Sequence, residues 1–181
     1  SGYGAPAVFD SAAAILLSDY AKGVVDDALI QSALAAGKAT GAPVIVDPKG
    51  ADFARYGAVD LIKPNASELS GATGMVVGTD QEVEAALQTL LDTTSVKAVV
   101  VTRAGKGMSM LRRGGDVVHF AGRAREVFDV SGAGDTALAA LGLGLGAGLS
   151  LEQAVQFALL ASGVVVGKAG TAVVTPQELL D

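Results

Sequence analysis

Glu126-Val127-Phe128-Asp129-Val130-Ser131-Gly132-Ala133-Gly134-Asp135-Thr136 carries a short apolar run into a glycine cluster and out into a helical pattern. A strand that delivers the chain through small residues to a helix N-terminus is the repeating unit of an open parallel sheet. The same alternation runs through the rest of the chain. Ala14–Ser18, Pro43–Val46 and Leu61–Lys63 are short apolar runs of the kind covered on both faces. Asp26–Lys38 has helical spacing and ends at Gly41, and Thr79-Asp80-Gln81-Glu82 is a capping box that opens a helix to about Leu91. Val96–Thr102 (VKAVVVT) is the strongest strand. Met108–Leu111 and Val117–Phe120 flank Arg112-Arg113-Gly114-Gly115-Asp116, a hairpin signal. Two apolar helices follow the glycine cluster, the second capped by Ser150 and Gln153. A short terminal helix opens at Thr175-Pro176-Gln177-Glu178, with proline at its first position. The pattern predicts an α/β fold, a mostly parallel sheet covered by helices on both faces.

Composition narrows the chemistry. Of 181 residues, 50% are hydrophobic and 18% charged, too apolar for a disordered chain. A net charge of −6 gives no broad attraction to nucleic acid or to an anionic membrane. The absence of cysteine excludes disulfides, thiolate zinc sites and cysteine nucleophiles, and the single histidine, His119, excludes a multi-histidine metal centre. Ala137–Leu151 is glycine-interrupted and shorter than the roughly 20 residues that span a bilayer. SGYGAPAV at the N-terminus is not a signal peptide. These features predict a soluble, cytoplasmic domain. Aromatics make up only 4%, so the core is aliphatic, while the 24 glycines cluster.

Ligands of an open parallel sheet bind beyond the carboxyl ends of its strands. That rule selects Asp19–Gly23, Asp47–Gly50, Lys63–Asn65, Thr102–Gly107 and Asp129–Asp135. The last is the most informative: consecutive small residues at a helix start leave backbone N–H groups and the positive end of the dipole open to an anion. Gly132-Ala133-Gly134-Asp135-Thr136-Ala137 formally matches the dinucleotide fingerprint G-x-G-x-x-A, which keeps an NAD-binding domain as an alternative. In that case Asp135 sets a carboxylate against a pyrophosphate, and the acid about twenty residues on is Glu152, at a helix start. Alternatively Asp135 is a general base beside an anion cradle, as phosphoryl transfer requires, or simply a helix N-cap. No Walker A sequence is present. Gly142-Leu143-Gly144-Leu145-Gly146-Ala147-Gly148 reads as close helix packing, and His119 as a structural residue of a hairpin strand.

Asp129-Val130-Ser131-Gly132-Ala133-Gly134-Asp135-Thr136 resembles a signature of the ribokinase-like (pfkB-type) carbohydrate kinases. Asn65-Ala66-Ser67-Glu68 resembles the family's N-x-x-E motif, and Thr102–Gly107 its T-x-G-x-x-G phosphate loop, with Ala104 where glycine is usual. Leu17–Gly23, Val46–Gly50 with Asp52–Tyr56, and Val164–Thr171 are similar to the D-glycero-β-D-manno-heptose 7-phosphate kinase branch. That branch makes the 1,7-bisphosphate on the route to ADP-heptose for lipopolysaccharide core, and a nucleotidyltransferase domain follows the kinase in some members.

The resemblance implies a ribokinase-like three-layer fold, ATP and Mg²⁺ as cofactors, and a sugar phosphate as substrate. It makes Asp135 the base and Gly132, Ala133 and Gly134 the cradle of the transferring phosphoryl. Asn65 and Glu68 organise Mg²⁺ through water. Thr102, Arg103, Gly105 and Gly107 line the nucleotide phosphates, and Lys168, Gly170 and Thr171 the adenine pocket. Lys22 and Lys49, each just past a strand, can meet phosphate charge, although solvated loop lysines look the same; Lys49 is kept with the nucleotide set. Glu68 is equally an ordinary first-turn helix acid. The family's sugar-binding glycine motif and β lid precede the matched region. Residues 1–12 are therefore expected to be a remnant or linker, and residues 13–181 a partial nucleotide-binding domain with little turnover of its own. A homodimer, association with the missing half, or a non-catalytic assembly module are the corresponding partner expectations.

Overall fold

The structure, a computed structural model, describes residues 11–122 and 132–166. The short strand expected at Glu126–Phe128 and the terminal helix expected at Thr175 lie outside the described residues. Six strands form one sheet in sequential order: β1 (Ile15–Ser18), β2 (Val44–Asp47), β3 (Leu61–Ile62), β4 (Ala98–Thr102), β5 (Met108–Arg112) and β6 (Val118–Phe120). β1 to β4 run parallel, and β5 and β6 continue the sheet as an antiparallel hairpin.

Among the described residues, five α-helices accompany the strands. They are α1 (Asp27–Thr40), α2 (Ala66–Thr73), α3 (Asp80–Thr93), α4 (Ala133–Gly146) and α5 (Leu151–Val166). Local chemistry sets their ends. Asp26 Oδ1 accepts from the Leu29 amide at 2.8 Å, and Gly41 closes α1 in the left-handed conformation. Thr79 and Glu82 complete both halves of the expected capping box on α3, and Ser150 and Gln153 do so at α5. No described helix is long and apolar enough to cross a membrane.

The period-two alternation of the strands divides the core in two. Val44, Val46, Ile62, Val99 and Val101 face one side with Ile30, Leu69, Leu87 and Leu90 of α1, α2 and α3. Ile45, Leu61, Ala98 and Val100 face the other with Leu138, Leu141, Ala154 and Val155 of α4 and α5. Helices therefore cover both faces, and each fully buried Val, Ile or Leu contributes about 1.5–3 kcal/mol relative to exposure. With β1 to β4 parallel, the expected sheet is present.

The glycine run of α4 packs as its sequence suggested. An added Cβ would meet Leu16 at Gly142, Ala154 at Gly144 and the Ala13 carbonyl at Gly146. Two helical glycines elsewhere make opposite predictions. A Cβ at Gly37 would stand 2.7 Å from Val44 Cγ2 and 2.8 Å from the Ala42 carbonyl oxygen, whereas at exposed Gly71 it meets nothing within 4 Å. Gly37→Ala is expected to destabilise by about 1–3 kcal/mol. Gly71→Ala is expected to stabilise by up to about 1 kcal/mol. Urea unfolding of both variants checks the opposite signs; shifts of the same sign would contradict the packing.

Candidate active site

Parallel register decides which strand ends are neighbours. Ser18 pairs with Asp47, Val46 with Ile62, and a single parallel bridge joins Asn65 to Thr102 beyond the ends of β3 and β4. The loops after β1, β2, β3 and β4 thus converge with the start of α4 around a cavity of about 220 Å³. Of the residues expected from sequence, Lys49, Asn65, Glu68, Thr102, Gly134 and Asp135 line it together. Asp19, Tyr20, Asp47 and Lys63 line it as well.

Lys63 had not been singled out, and it is the most telling of these. Its side chain is only 3% exposed, and its Nζ lies 3.1 Å from Asp47 Oδ1. A Cβ on Gly134 would stand 3.8 Å from the same Nζ, so the ammonium sits directly beneath the glycine segment. Burial pushes the Asp47 carboxyl above its ordinary value. Lys63 opposes that shift, while Glu68 and Asp135, close enough to repel Asp47, reinforce it. Four carboxylates, those of Asp19, Asp47, Glu68 and Asp135, and the buried Lys63 therefore share one small volume. Val46 pairs with Ile62, so Asp47 and Lys63 are the next neighbours along two adjacent strands.

Asn65 and Glu68 form a complete capping box at the start of α2. Asn65 Oδ1 accepts from the Glu68 amide at 2.8 Å, and Glu68 Oε2 accepts from the Asn65 amide at 2.9 Å. The other oxygen of Glu68, Oε1, holds Lys49 Nζ at 2.7 Å. The first-turn acid and the motif residue are one and the same: Glu68 caps α2 and faces the cavity. Among the described residues no group of three or more His, Asp or Glu is placed to hold a metal ion directly. With both Glu68 oxygens and Asn65 Oδ1 occupied, the donor set suits a Mg²⁺ that keeps its waters and arrives on nucleotide phosphates.

The start of α4 is one turn earlier than Asp135. Gly132 is the N-cap, with φ 79°, and the Thr136 amide makes the first intrahelical bond, to Gly132 O, at 2.9 Å. Asp135 is the third helical residue, not the cap, and its side chain is exposed. The amides of Ala133, Gly134 and Asp135 have no helical carbonyl to bond, so this end offers donors and a positive dipole to an anion. Ser131 and the residues before it lie outside the described residues, as do Lys168, Gly170 and Thr171.

The loop after β4 keeps the shape its motif requires. Ala104 has φ 49°, a left-handed conformation natural to the glycine that the resemblance places there. Gly107 has φ 96°, and a Cβ on it would collide with the Phe120 carbonyl. Arg103 is turned away from the cavity. Its side chain is 6% exposed and bonds Asp80 Oδ1 at 2.7 Å and Ser109 Oγ at 3.1 Å, fastening the loop to α3 and β5. Asp80 is remote in sequence and lies on another element, so no local spacing marks this pairing. Ser109 Oγ in turn meets His119 Nδ1 at 2.7 Å, and His119 Nε2 meets Glu84 at 3.0 Å, the structural role expected of this histidine.

A larger cavity, about 1000 Å³, opens at the amino ends of the strands. Several of its charges already have partners: Lys97 holds Asp60 at 2.8 Å, and Arg113 the carbonyls of Leu91, Thr94 and Val96. The residues selected from the sequence converge on the cavity at the carboxyl ends. Glu152, the acid that a dinucleotide site would need, sits in the first turn of α5, with Arg112 3.6 Å away.

Known proteins are similar to this chain in sequence and fold. The bifunctional protein HldE of Hyphomonas neptunium is 54% identical over 167 residues, 92% of this chain and 34% of that protein. HldE of Caulobacter vibrioides is 51% identical over 170 residues, 93% of this chain and 35% of that protein. The chain thus spans about a third of the length of these curated relatives. Among solved structures, Arabidopsis thaliana ribokinase, complexed with ribose and ATP, superposes with a TM-score of 0.78 at 29% identity, over 91% of this chain and 53% of that one. Phosphofructokinase-2 from Escherichia coli, in complex with potassium, gives 0.73 at 25% identity, over 85% and 50%. Residues 6–178 match the pfkB family carbohydrate kinase, and this chain belongs to that family.

Proposed function

We propose that the cavity at the carboxyl ends of β1 to β4 takes the phosphates of Mg·ATP and passes the γ-phosphoryl to a sugar hydroxyl. The acceptor on this reading is heptose 7-phosphate, and the product is the 1,7-bisphosphate used for ADP-heptose and lipopolysaccharide core. One observation carries the reading: Asp135, the open amides of α4 and the buried ammonium of Lys63 face one volume.

Phosphoryl transfer is largely a matter of positioning and of compensating charge on the equatorial oxygens. The amides of Ala133, Gly134 and Asp135 supply fixed donors that need no reorganisation. Lys63 supplies a cation already desolvated beneath them. Asp135, exposed at the mouth, takes the proton from the acceptor hydroxyl as it attacks. Bound with the nucleotide, Mg²⁺ neutralises phosphate charge, and Glu68 and Asn65 would hold its waters. Thr102 faces the phosphates, and Lys49 would leave Glu68 for a phosphate oxygen. Lys168, Gly170 and Thr171 are proposed for the adenine side. The HldE relatives support the heptose assignment.

Calorimetric titration with Mg·ATP is expected to show saturable binding, and no heat at millimolar nucleotide would sink the proposal. In enzyme that turns over heptose 7-phosphate, Asp135→Asn is expected to lower kcat by about 10²–10⁴-fold with little change in nucleotide affinity. A variant that keeps half the wild-type rate would remove Asp135 from the base role. Lys63→Met leaves the partly buried Asp47 without its partner and is expected to cost about 1–3 kcal/mol in denaturant unfolding, part of which Asp47→Leu in the same chain restores. Strictly additive losses would show that the two charges do not form the pair.

A further inference from the structure

Lys49 reaches Glu68 from a loop that does not hold itself. The chain turns through Asp47-Pro48-Lys49-Gly50, where Gly50 has φ 80°, and the Lys49 side chain is half exposed. What fixes the backbone lies underneath. The Lys49 amide donates to Tyr56 Oη at 3.1 Å. Tyr56 is fully buried, and its hydroxyl donates to Asp19 Oδ2 at 2.8 Å. Burial, opposed by the bond from the Lys49 amide and reinforced by the Asp19 carboxylate, pushes the Tyr56 hydroxyl up to about 12, so it stays protonated at neutral pH.

Asp19 directly follows β1 and is itself buried. Its Oδ2 also accepts from Arg55 Nη1 at 2.9 Å, and its Oδ1 accepts from the Ala21 amide at 2.7 Å. Arg55 Nη2 reaches the Val25 carbonyl at 2.7 Å, so one guanidinium ties both ends of the loop after β1. That loop contains Ala21 at φ 54°, a left-handed conformation that costs a non-glycine residue energy and persists only where its surroundings dictate it. Asp19, Arg55 and Tyr56 thus bind the loop after β1 to the loop after β2, with both Asp19 oxygens and the Tyr56 hydroxyl bonded. A network whose buried groups are satisfied in this way fixes geometry more than it adds stability.

We propose that Asp19, Arg55 and Tyr56 are positioning residues that hold the Lys49 backbone so that its ammonium stands over the phosphate cavity. The proposal rests on the kinase reading of that cavity. Tyr56 acts through Lys49 and touches no substrate, so its removal matters to the nucleotide only while Lys49 is there to be positioned.

Two measurements on the intact chain test this. In amide hydrogen exchange without nucleotide, Tyr56→Phe is expected to speed exchange at Lys49 and at Ala21 by about tenfold or more, while β4 amides keep their protection. Unchanged exchange at both amides would overturn the clamp, and uniform loss of protection would mean a merely structural tyrosine. In the second measurement, Mg·ATP affinity is compared for wild type, Tyr56→Phe, Lys49→Met and the double variant. The account expects Tyr56→Phe to weaken binding several-fold in the wild-type background and not at all beside Lys49→Met. Equal losses in both backgrounds would overturn the link to Lys49. A wild-type chain that binds no Mg·ATP would refute the kinase reading instead, and the exchange result would then stand for the clamp alone.

Discussion

Four strands run in the same direction and stop at the same edge, and the rest of the site depends on that constraint. A parallel strand pair has no tight hairpin, so every return passes through a helix or long loop and each new strand ends where the last one ended. Polar residues that the strands cannot hold inside are therefore gathered at one rim. Asp47 and Lys63 are adjacent because Val46 and Ile62 pair, and Asn65 meets Thr102 because the β3–β4 pairing extends one bridge further. The rim is charged by topology before any ligand is considered.

Gathering charges in this way has a cost that the molecule meets with partners. Lys63 is nearly inaccessible and keeps Asp47 beside it, while Arg103 is buried against Asp80 and Ser109. Among the described residues no buried side-chain nitrogen or oxygen lacks a partner. The consequence is that several site residues serve the fold at the same time. Glu68 caps α2, receives Lys49 and faces the cavity, so a nucleotide must compete with bonds already made. On the proposed reading, such competition favours a ligand carrying its own cation, which would relieve Glu68 as Lys49 departs.

What the sequence makes legible is what is local. Asp26 with Gly41, Thr79 with Glu82, and Ser150 with Gln153 announce their helix ends because cap and capped amide lie within one turn. The alternating apolar strands are equally plain, since burial on two faces leaves few alternatives. Helix α2 is short, with a single buried residue, Leu69, and so lacks the apolar repeat that reveals the longer helices. The contacts that build and brace the site join residues far apart in the chain: Asp19 with Tyr56, Asp47 with Lys63, and, behind the loop after β4, Arg103 with Asp80. No spacing rule exposes these. Ala104 shows the boundary well: the sequence marks it as a departure from the motif, and only the backbone shows that the left-handed turn is kept.

The central claim is that the open amides of α4 and the buried ammonium of Lys63 cradle the γ-phosphoryl group. A crystal structure with Mg²⁺ and the non-hydrolysable analogue adenosine 5′-(β,γ-imido)triphosphate tests it most directly. The account predicts γ-phosphate oxygens within hydrogen-bond distance of the Gly134 and Asp135 amides and of Lys63 Nζ. Phosphates bound away from α4, with Lys63 still held only by Asp47, would contradict it.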